Sequence, residues 1–290
     1  MPPDHAPAAT SPPGPARRRW LAAAGAALWA PALRSQGAAL RLGLAPYLSP
    51  AALLATFRPV REQLAAALGE PVELYTARDF DALVQSVRRV DYDIALLPAH
   101  LGLLAIGDWG WQPLARTVTS TEVLLFVHKD DPAREAAALR GRRIGMLDPQ
   151  SLTALVALHW LQQHGLGEPA LQVAVLPSFN SALHALDRGE VAAVVGAASQ
   201  LHGLPPQTPR SERVLARLGE IPGPVYVARP GTPAPTLARW RTALLAFAPD
   251  PQRPATAANA RLSPLEASHL SALAPFAAAA RASLAADAPR

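Results

Sequence analysis

Short apolar runs alternate with amphipathic stretches along most of this chain, and this alternation constrains the fold more than any other feature. Leu40–Leu44, Val72–Thr76 and Tyr92–Leu97 have the length of buried strands, and each is followed by a stretch with helical periodicity. The repeating unit is about 25 to 30 residues long, roughly a strand plus a crossover helix. The pattern therefore predicts an α/β protein with doubly wound, mainly parallel sheets rather than a sandwich or a helical bundle.

The units fall into two series along the chain. The first series covers residues 40–127, and Lys129–Pro132 has the composition of a surface turn. We therefore expect the chain to cross into a second lobe at about residues 128–132 and to remain there over residues 128–224. Residues 225–290 are expected to return to the first lobe and to end in helices.

Composition excludes several classes of protein. Half of the 290 residues are hydrophobic and only 17% are charged, which excludes a chain that is disordered throughout. The absence of cysteine removes disulfides, thiol nucleophiles and cysteine-based metal sites. The histidines are scattered and show no metal-binding motif, so we expect neither a metal nor a cofactor.

The positive charge is concentrated at the N-terminus. The formal net charge is +5, but residues 1–39 contain four arginines and one acid, a net +3, which leaves +2 for the rest. No basic cluster occurs in that remainder, so the sequence predicts no nucleic-acid partner.

Residues 1–39 have the layout of an export signal. Three arginines at 17–19 precede an apolar run from Trp20 to Leu33, and small residues end the segment at Ala39. The run, about 14 residues, is short for a bilayer span, so we expect cleavage after Ala39 and no stable membrane insertion. The arginines fit both a twin-arginine signal and an ordinary secretory signal. Either way, the mature protein is predicted to be periplasmic.

Residues 141–160 predict a strand, a tight polar turn and a helix that opens near Ser151. A helix start leaves about four backbone N–H groups without partners and carries roughly half a positive charge, so it can bind an anion. Ser151 and Thr153 can bind such an anion with their hydroxyl groups. Ser151 can alternatively act only as the helix N-cap.

Further polar side chains follow predicted strands, where open α/β sheets place their ligands. We expect His100, near the first turn of a helix, either to contact ligand or to be a solvated or capping residue. The other candidates in such loops are Tyr47, Ser49, Asn180, Ser181 and Ser199.

Four segments in this order give the chain a resemblance to a known family. They read GLAPYLSP at residues 43–50, DYDIALLPAH at 91–100, LRGRRIGMLDPQSLTA at 139–154 and SFNSALHALDRGEVAAVVG at 178–196. In their order and spacing they resemble the type II periplasmic solute-binding proteins of the phosphate, phosphite and phosphonate ABC transporters. The resemblance covers about residues 40–200.

This resemblance implies two α/β lobes that are joined by a two-strand hinge and close over a small oxyanion. It also implies a monomer that delivers the anion to an ABC transporter permease and is not an enzyme. Tyr47 matches the first-loop position that contacts ligand, and His100 falls where the family has an aromatic residue or histidine. Ser151 and Thr153 match the hydroxyl-rich helix start that takes the phosphonate oxygens.

The chain departs from the family at two positions. Asn180 falls where phosphonate binders carry histidine, and Ser181 falls where they carry an acid. An acid there suits a ligand with an amino group, so its absence argues against aminoalkylphosphonates and leaves the ligand open.

Two other classes of function are alternatives to transport. An enzyme on the same fold is disfavoured, because the chain lacks a Gly-x-Ser-x-Gly elbow and a His-Glu-x-x-His motif. Porphobilinogen deaminase, which has a related fold, needs a cysteine for its cofactor. A periplasmic ligand-sensing protein for a signalling kinase fits the same sequence and stays an alternative.

Overall fold

The computed structural model describes residues 39–167 and 169–286, so nearly all of the predicted export segment lies outside the described residues. Eleven strands in the described residues form two sheets with helices on their faces. The first sheet contains β1 (Leu40–Leu44), β2 (Val72–Thr76), β3 (Ile94–Leu97), β4 (Gln112–Thr117), β10 (Val225–Ala228) and β11 (Leu262–Pro264). The second contains β5 (Ser120–His128), β6 (Arg143–Met146), β7 (Gln172–Val175), β8 (Ala193–Ala197) and β9 (Glu212–Pro222).

The helices connect these strands as the alternating pattern predicts. They are α1 (Pro50–Leu68), α2 (Phe80–Arg88), α3 (Ala99–Asp108), α4 (Leu152–Gln163), α5 (Phe179–Asp187), α6 (Ala234–Leu245) and α7 (Ala274–Ala286). A short 3₁₀ turn, Ala198–Gly203, follows β8. No helix in residues 39–167 and 169–286 combines the length and the apolar character needed to cross a bilayer.

Both sheets are mixed, which corrects the prediction of mainly parallel sheets. The first has the order β11-β4-β10-β3-β1-β2 and the second β7-β6-β8-β5-β9. Parallel pairing holds for β3-β1-β2 and for β7-β6-β8, and the remaining pairs are antiparallel. The strands on either side of the two crossings are antiparallel neighbours: β4 pairs with β10 in the first sheet, and β5 pairs with β9 in the second.

The first crossing lies at Val118–Thr119, between β4 and β5, about ten residues before the predicted position. The whole of Ser120–His128 therefore belongs to the second sheet. No glycine or proline lies at this crossing. Lys129–Pro132 has the composition of a loop, but it follows a strand of the second sheet instead of separating the two sheets. The return crossing is Gly223–Pro224, between β9 and β10.

The two crossings pack directly against each other. The N–H of Gly223 donates to the main-chain oxygen of Thr119 at 2.7 Å, and the hydroxyl of Thr117 donates to the oxygen of Pro224 at 3.0 Å. A Cβ on residue 223 would overlap the hydroxyl oxygens of both Thr117 and Thr119. Only glycine fits this close approach of two backbones.

Burial follows the apolar pattern of the strands and helices. One cluster of buried side chains packs α1 and α6 against the first sheet, and a second packs α5 against the second sheet. The largest cluster includes residues of both lobes, among them Leu101 of α3, Met146 of β6 and Leu152 of α4. The two lobes therefore share buried apolar contacts beside the crossings.

Candidate ligand-binding cleft

A cleft with a cavity volume of about 170 Å³ lies where the two sheets face each other. Loops that follow β1, β3, β6 and β8 line it, together with both crossings, the first turns of α1 and the loop after α6. This is the edge at which open α/β sheets place their ligands. Of the residues predicted from the sequence to bind ligand, the cleft is lined by Tyr47, Thr153 and Ser199.

Hydroxyl groups dominate the polar part of the cleft. The N–H of Ser199 donates to Oγ1 of Thr121 at 3.0 Å. The hydroxyls of Tyr47, Thr153 and Ser199 have no hydrogen-bond partner among the described residues, although all three line the cavity. Burial raises the pKa of Tyr47, so its phenol keeps its proton. These groups can therefore donate hydrogen bonds to a bound molecule.

The start of α4 adds backbone donors to the same wall. Ser151 is the N-cap, and its Oγ accepts the N–H of Ala154 at 3.2 Å. Ser151 is only 1% exposed and does not line the cleft, whereas Leu152 and Thr153 do. No acceptor among the described residues is assigned to the N–H groups of Leu152 and Thr153. The helix start therefore presents amide groups of the kind that bind anions.

His100 lies behind the cleft instead of lining it. Its ring is fully buried, and Nε2 donates to the main-chain oxygen of Gln150 at 2.9 Å. Burial lowers the pKa of His100 to about 4, so the ring is neutral at physiological pH. The bond joins a helix after β3 to a loop after β6, and thus connects the two lobes.

Two carboxylates stand close to the Gln150 turn. The N–H of Gln150 donates to Asp148 at 2.8 Å, and its side-chain amide donates to Asp81 of α2. Burial raises the pKa of Asp148, and the charges of Asp81 and Asp79 raise it further. None of these acids lines the cleft.

Asn180, Ser181 and Ser49 also lie outside the cleft. Asn180 and Ser181 belong to the capping network at the start of α5, where Ser178 Oγ lies 2.7 Å from Asn180 Oδ1 and 2.9 Å from Ser181 Oγ. That helix follows β7, the outer strand of its sheet, whereas Ser199 follows β8. Two strand spacings, about 10 Å, separate β7 from β8. Ser49 is half-buried at the start of α1, beside the lining residue Leu48.

Several lining residues were not identified from the sequence. The polar ones are Thr56, Thr119, Ser120, Thr121, Gln200, His202, Arg253 and Thr256. Oε1 of Gln200 accepts the N–H of Ala197 at 2.8 Å, and its Nε2 donates to the oxygen of Tyr47 at 3.3 Å, which is a second link between the lobes. Residues 119–121 all carry hydroxyl groups. This run would have indicated the ligand site if the crossing between the sheets had been predicted at residues 118–119.

The charge of the lining favours an anionic or neutral ligand. Among the described residues that line the cleft there is no aspartate or glutamate, and Arg253 is the one with a permanent charge. In the part of the chain that the structure describes, no group of three or more His, Cys, Asp or Glu side chains could hold a metal.

Comparison with family models gives one match, over residues 42–273, to the family described as ABC transporter, phosphonate, periplasmic substrate-binding protein. The match covers most of the chain. This protein belongs to that family. The resemblance inferred from the sequence is thereby confirmed.

A search of curated proteins found no match to this phosphonate-family protein. Among solved structures it is similar to PhnD1 from Prochlorococcus marinus (MIT 9301) in complex with methylphosphonate, with TM-score 0.72, 13% identity, and coverage of 84% of this chain and 98% of that one. It is also similar to a binding protein component of an ABC phosphonate transporter from Pseudomonas aeruginosa, with TM-score 0.72, 16% identity, and coverage of 86% and 89%. A third is XAC2383 from Xanthomonas citri bound to chloride ion, with TM-score 0.65, 18% identity, and coverage of 84% and 99%.

These likenesses confirm the predicted two-lobe type II architecture of this phosphonate-family protein. Family membership implies a periplasmic location, a small solute ligand and a permease partner, and the members are generally not enzymes. Membership does not identify the ligand, which has to be argued from the cleft.

Proposed function

We propose that this protein captures a small oxyanion of the phosphonate, phosphite or phosphate type in the periplasm, by closure of its lobes, and delivers it as a monomer to an ABC importer. The observation that carries the proposal is the set of hydroxyl and amide donors around a cleft whose described lining residues include no carboxylate. Export by the segment at residues 1–39 is part of the same proposal.

Neutral donors are sufficient for such a ligand when water is excluded. A hydrogen bond to a charged group contributes about 1.5 to 3 kcal/mol. Amides at the start of α4 and hydroxyls such as Thr153 and Ser199 supply several such bonds. Two or three of them contribute about 3 to 9 kcal/mol in total, from which the costs of ordering and desolvation are subtracted.

We expect ligand binding to close the two lobes, because the ligand would contact residues of both. Tyr47 follows a strand of the first sheet, and Thr153 and Ser199 follow strands of the second. A ligand that touches all three binds the closed arrangement more tightly than an open one, and so shifts the population towards it. The Gln200–Tyr47 hydrogen bond also favours the closed arrangement, because it joins the two lobes.

A ligand screen of the mature chain, which begins at residue 40, tests the proposal. Phosphate, phosphite, methylphosphonate, sulfate and acetate are compared by thermal shift and then by calorimetry. At one hundred times its dissociation constant, a ligand stabilises the folded state by about 2.7 kcal/mol. We expect a phosphorus oxyanion to do so, and the proposal fails if none of them binds.

Replacing one hydroxyl locates the site. Thr153→Val removes a donor from a lining residue with almost no change in volume, and we expect at least a tenfold loss of affinity, about 1.4 kcal/mol. Thr242→Val makes the same change at an exposed position of α6 outside the cleft and should leave affinity unchanged. Equal binding by both variants contradicts the placement of the anion at the start of α4.

A further inference from the structure

We infer that Gln150 is a positioning residue for ligand binding, and that His100 and Asp81 of the first lobe hold it in place. Held in this way, it fixes the amides of Leu152 and Thr153 at the start of α4 against the opposite lobe. The inference rests on the proposed function, because it takes those amides to bind the anion. Gln150 does not line the cleft, so it acts through the start of the helix and not on the ligand itself.

The first contact holds the main chain of Gln150. His100 lies in the first turn of α3, in the first lobe, and its Nε2 donates to the oxygen of Gln150 at 2.9 Å. Gln150 directly precedes Ser151, the N-cap of α4, in the second lobe. The ring is 0% exposed and Gln150 is 5% exposed, so water does not compete for this bond. A displacement of the held oxygen therefore carries the start of α4 with it.

The second contact holds the side chain of Gln150. Its Nε2 donates to Oδ1 of Asp81, in the first turn of α2. Glutamine is a residue type that is mostly exposed, and its burial here is accompanied by hydrogen bonds to Asp148 in its own loop and to His100 and Asp81 in the other lobe. The last two bonds break when the lobes separate, so they favour the closed arrangement.

The charges around Gln150 favour a neutral donor at this position. Burial raises the pKa of Asp148, and the charges of Asp81 and Asp79 raise it further. A carboxylate in place of the Gln150 amide would face Asp81 across the lobes and Asp148 in its own loop, and like charges repel. A change to glutamate, which has almost the same shape, should therefore push the lobes apart.

Loss of the two contacts should weaken binding without removing any group that touches the ligand. A protein that is in its binding-competent arrangement for only a fraction of the time has its affinity reduced by that fraction. Gln150 therefore differs from Thr153, a lining residue whose hydroxyl can itself bond the ligand.

The test is calorimetry of the mature chain with methylphosphonate, phosphite and phosphate, using Gln150→Glu, Asp81→Asn and the double variant. We expect Gln150→Glu to bind about tenfold more weakly or worse, and the double variant to return to within about threefold of the wild type. In the double variant the amide and the carboxylate have exchanged places, so the bond between the lobes forms again in the opposite direction. A purely local role of Gln150 would not be rescued by a change in the other lobe.

A matched control is Gln85→Glu, the same substitution at an exposed position of α2 about one turn beyond Asp81. It adds a negative charge to the same helix and should leave the affinity within about twofold of the wild type. The inference is overturned if Gln150→Glu binds as the wild type does, or if the double variant binds no better than Gln150→Glu.

Two further comparisons decide the remaining cases. If Gln150→Glu does not fold, Asp81→Ala is compared with Asp81→Asn, because both remove the charge but only asparagine keeps an acceptor for Gln150. We expect the alanine variant to bind more weakly, and equal affinities overturn the inference. If no oxyanion binds the wild type, the proposed function fails. Small-angle scattering then tests the contacts alone, since the radius of gyration should rise in Gln150→Glu and return in the double variant, and an unchanged radius overturns the inference.

Discussion

Nε2 of His100 lies 2.9 Å from the main-chain oxygen of Gln150, and this bond connects the two lobes inside the protein. A carbonyl oxygen only accepts, so the proton of the neutral ring is on Nε2. Nδ1 is then an unprotonated acceptor that has no partner among the described residues. Because the ring is fully buried, a second proton would place an uncompensated positive charge in the interior.

The first prediction concerns pH. The pKa of His100 is about 4 in the folded protein and about 6.5 when exposed, so the unfolded state takes up the proton first as pH falls. His100 should therefore lower the free energy of unfolding between pH 6.5 and pH 4, by about 2 kcal/mol between pH 7.5 and pH 5. Urea unfolding at the two pH values measures this change.

Comparison of variants separates His100 from other titrating groups. In the His100→Gln variant, the change in the free energy of unfolding between pH 7.5 and pH 5 should be smaller by about 2 kcal/mol. The substitution should also lower stability at pH 7.5. An unaltered pH dependence in the His100 variant would show that the buried ring does not titrate as its surroundings require.

The second prediction concerns the contact between the crossings. Gly223→Ala should destabilise the protein by about 1 to 3 kcal/mol, because the new methyl group meets Thr117 and Thr119. Gly107→Ala is the control, since a Cβ there has no neighbour within 4 Å and alanine favours the helix α3. Denaturant unfolding should show opposite signs for the two variants. A neutral Gly223 variant would mean that the crossings separate easily.

The third prediction distinguishes two helix caps. Ser178→Ala and Ser151→Ala each remove a side chain that accepts a backbone N–H, so each should cost about 1 kcal/mol of stability. Only Ser151 caps the helix whose amides line the cleft, so only its variant should also weaken oxyanion binding. Thermal unfolding without methylphosphonate measures the stability of each variant, and the shift on adding methylphosphonate measures its binding. Equal affinities in the two variants would show that the Ser151 cap does not position the amides of α4 for the ligand.

The fourth prediction concerns the bond between Gln200 and Tyr47. Gln200→Met keeps the length of the side chain but removes both the donor to Tyr47 that joins the lobes and the acceptor for the N–H of Ala197, so ligand affinity should fall by at least fivefold. Gln112→Met removes an amide that bonds Arg229 and Thr232, on the side of the first sheet only. Calorimetry should show normal affinity for this control. A similar loss in both variants would point to a general effect on stability.

Local structure was largely predictable from the sequence. Strands β1 and β2 begin and end at the predicted residues, because apolar runs of strand length with turn residues between them specify their own conformation. The start of α4 was also predicted, with Ser151 available as its cap. These features depend on neighbours within a few positions of the chain.

The sequence by itself determined the α/β class, the strand–helix units and the family, because apolar periodicity and ordered motifs are local properties. Only the tertiary structure decided which sheet β5 joins and which loops form the cleft. β5 pairs with β8 and β9, more than 60 residues further along the chain, and no local pattern encodes such a pairing. For the same reason Ser199, after an inner strand, lines the cleft, whereas Asn180, after the outer strand, does not.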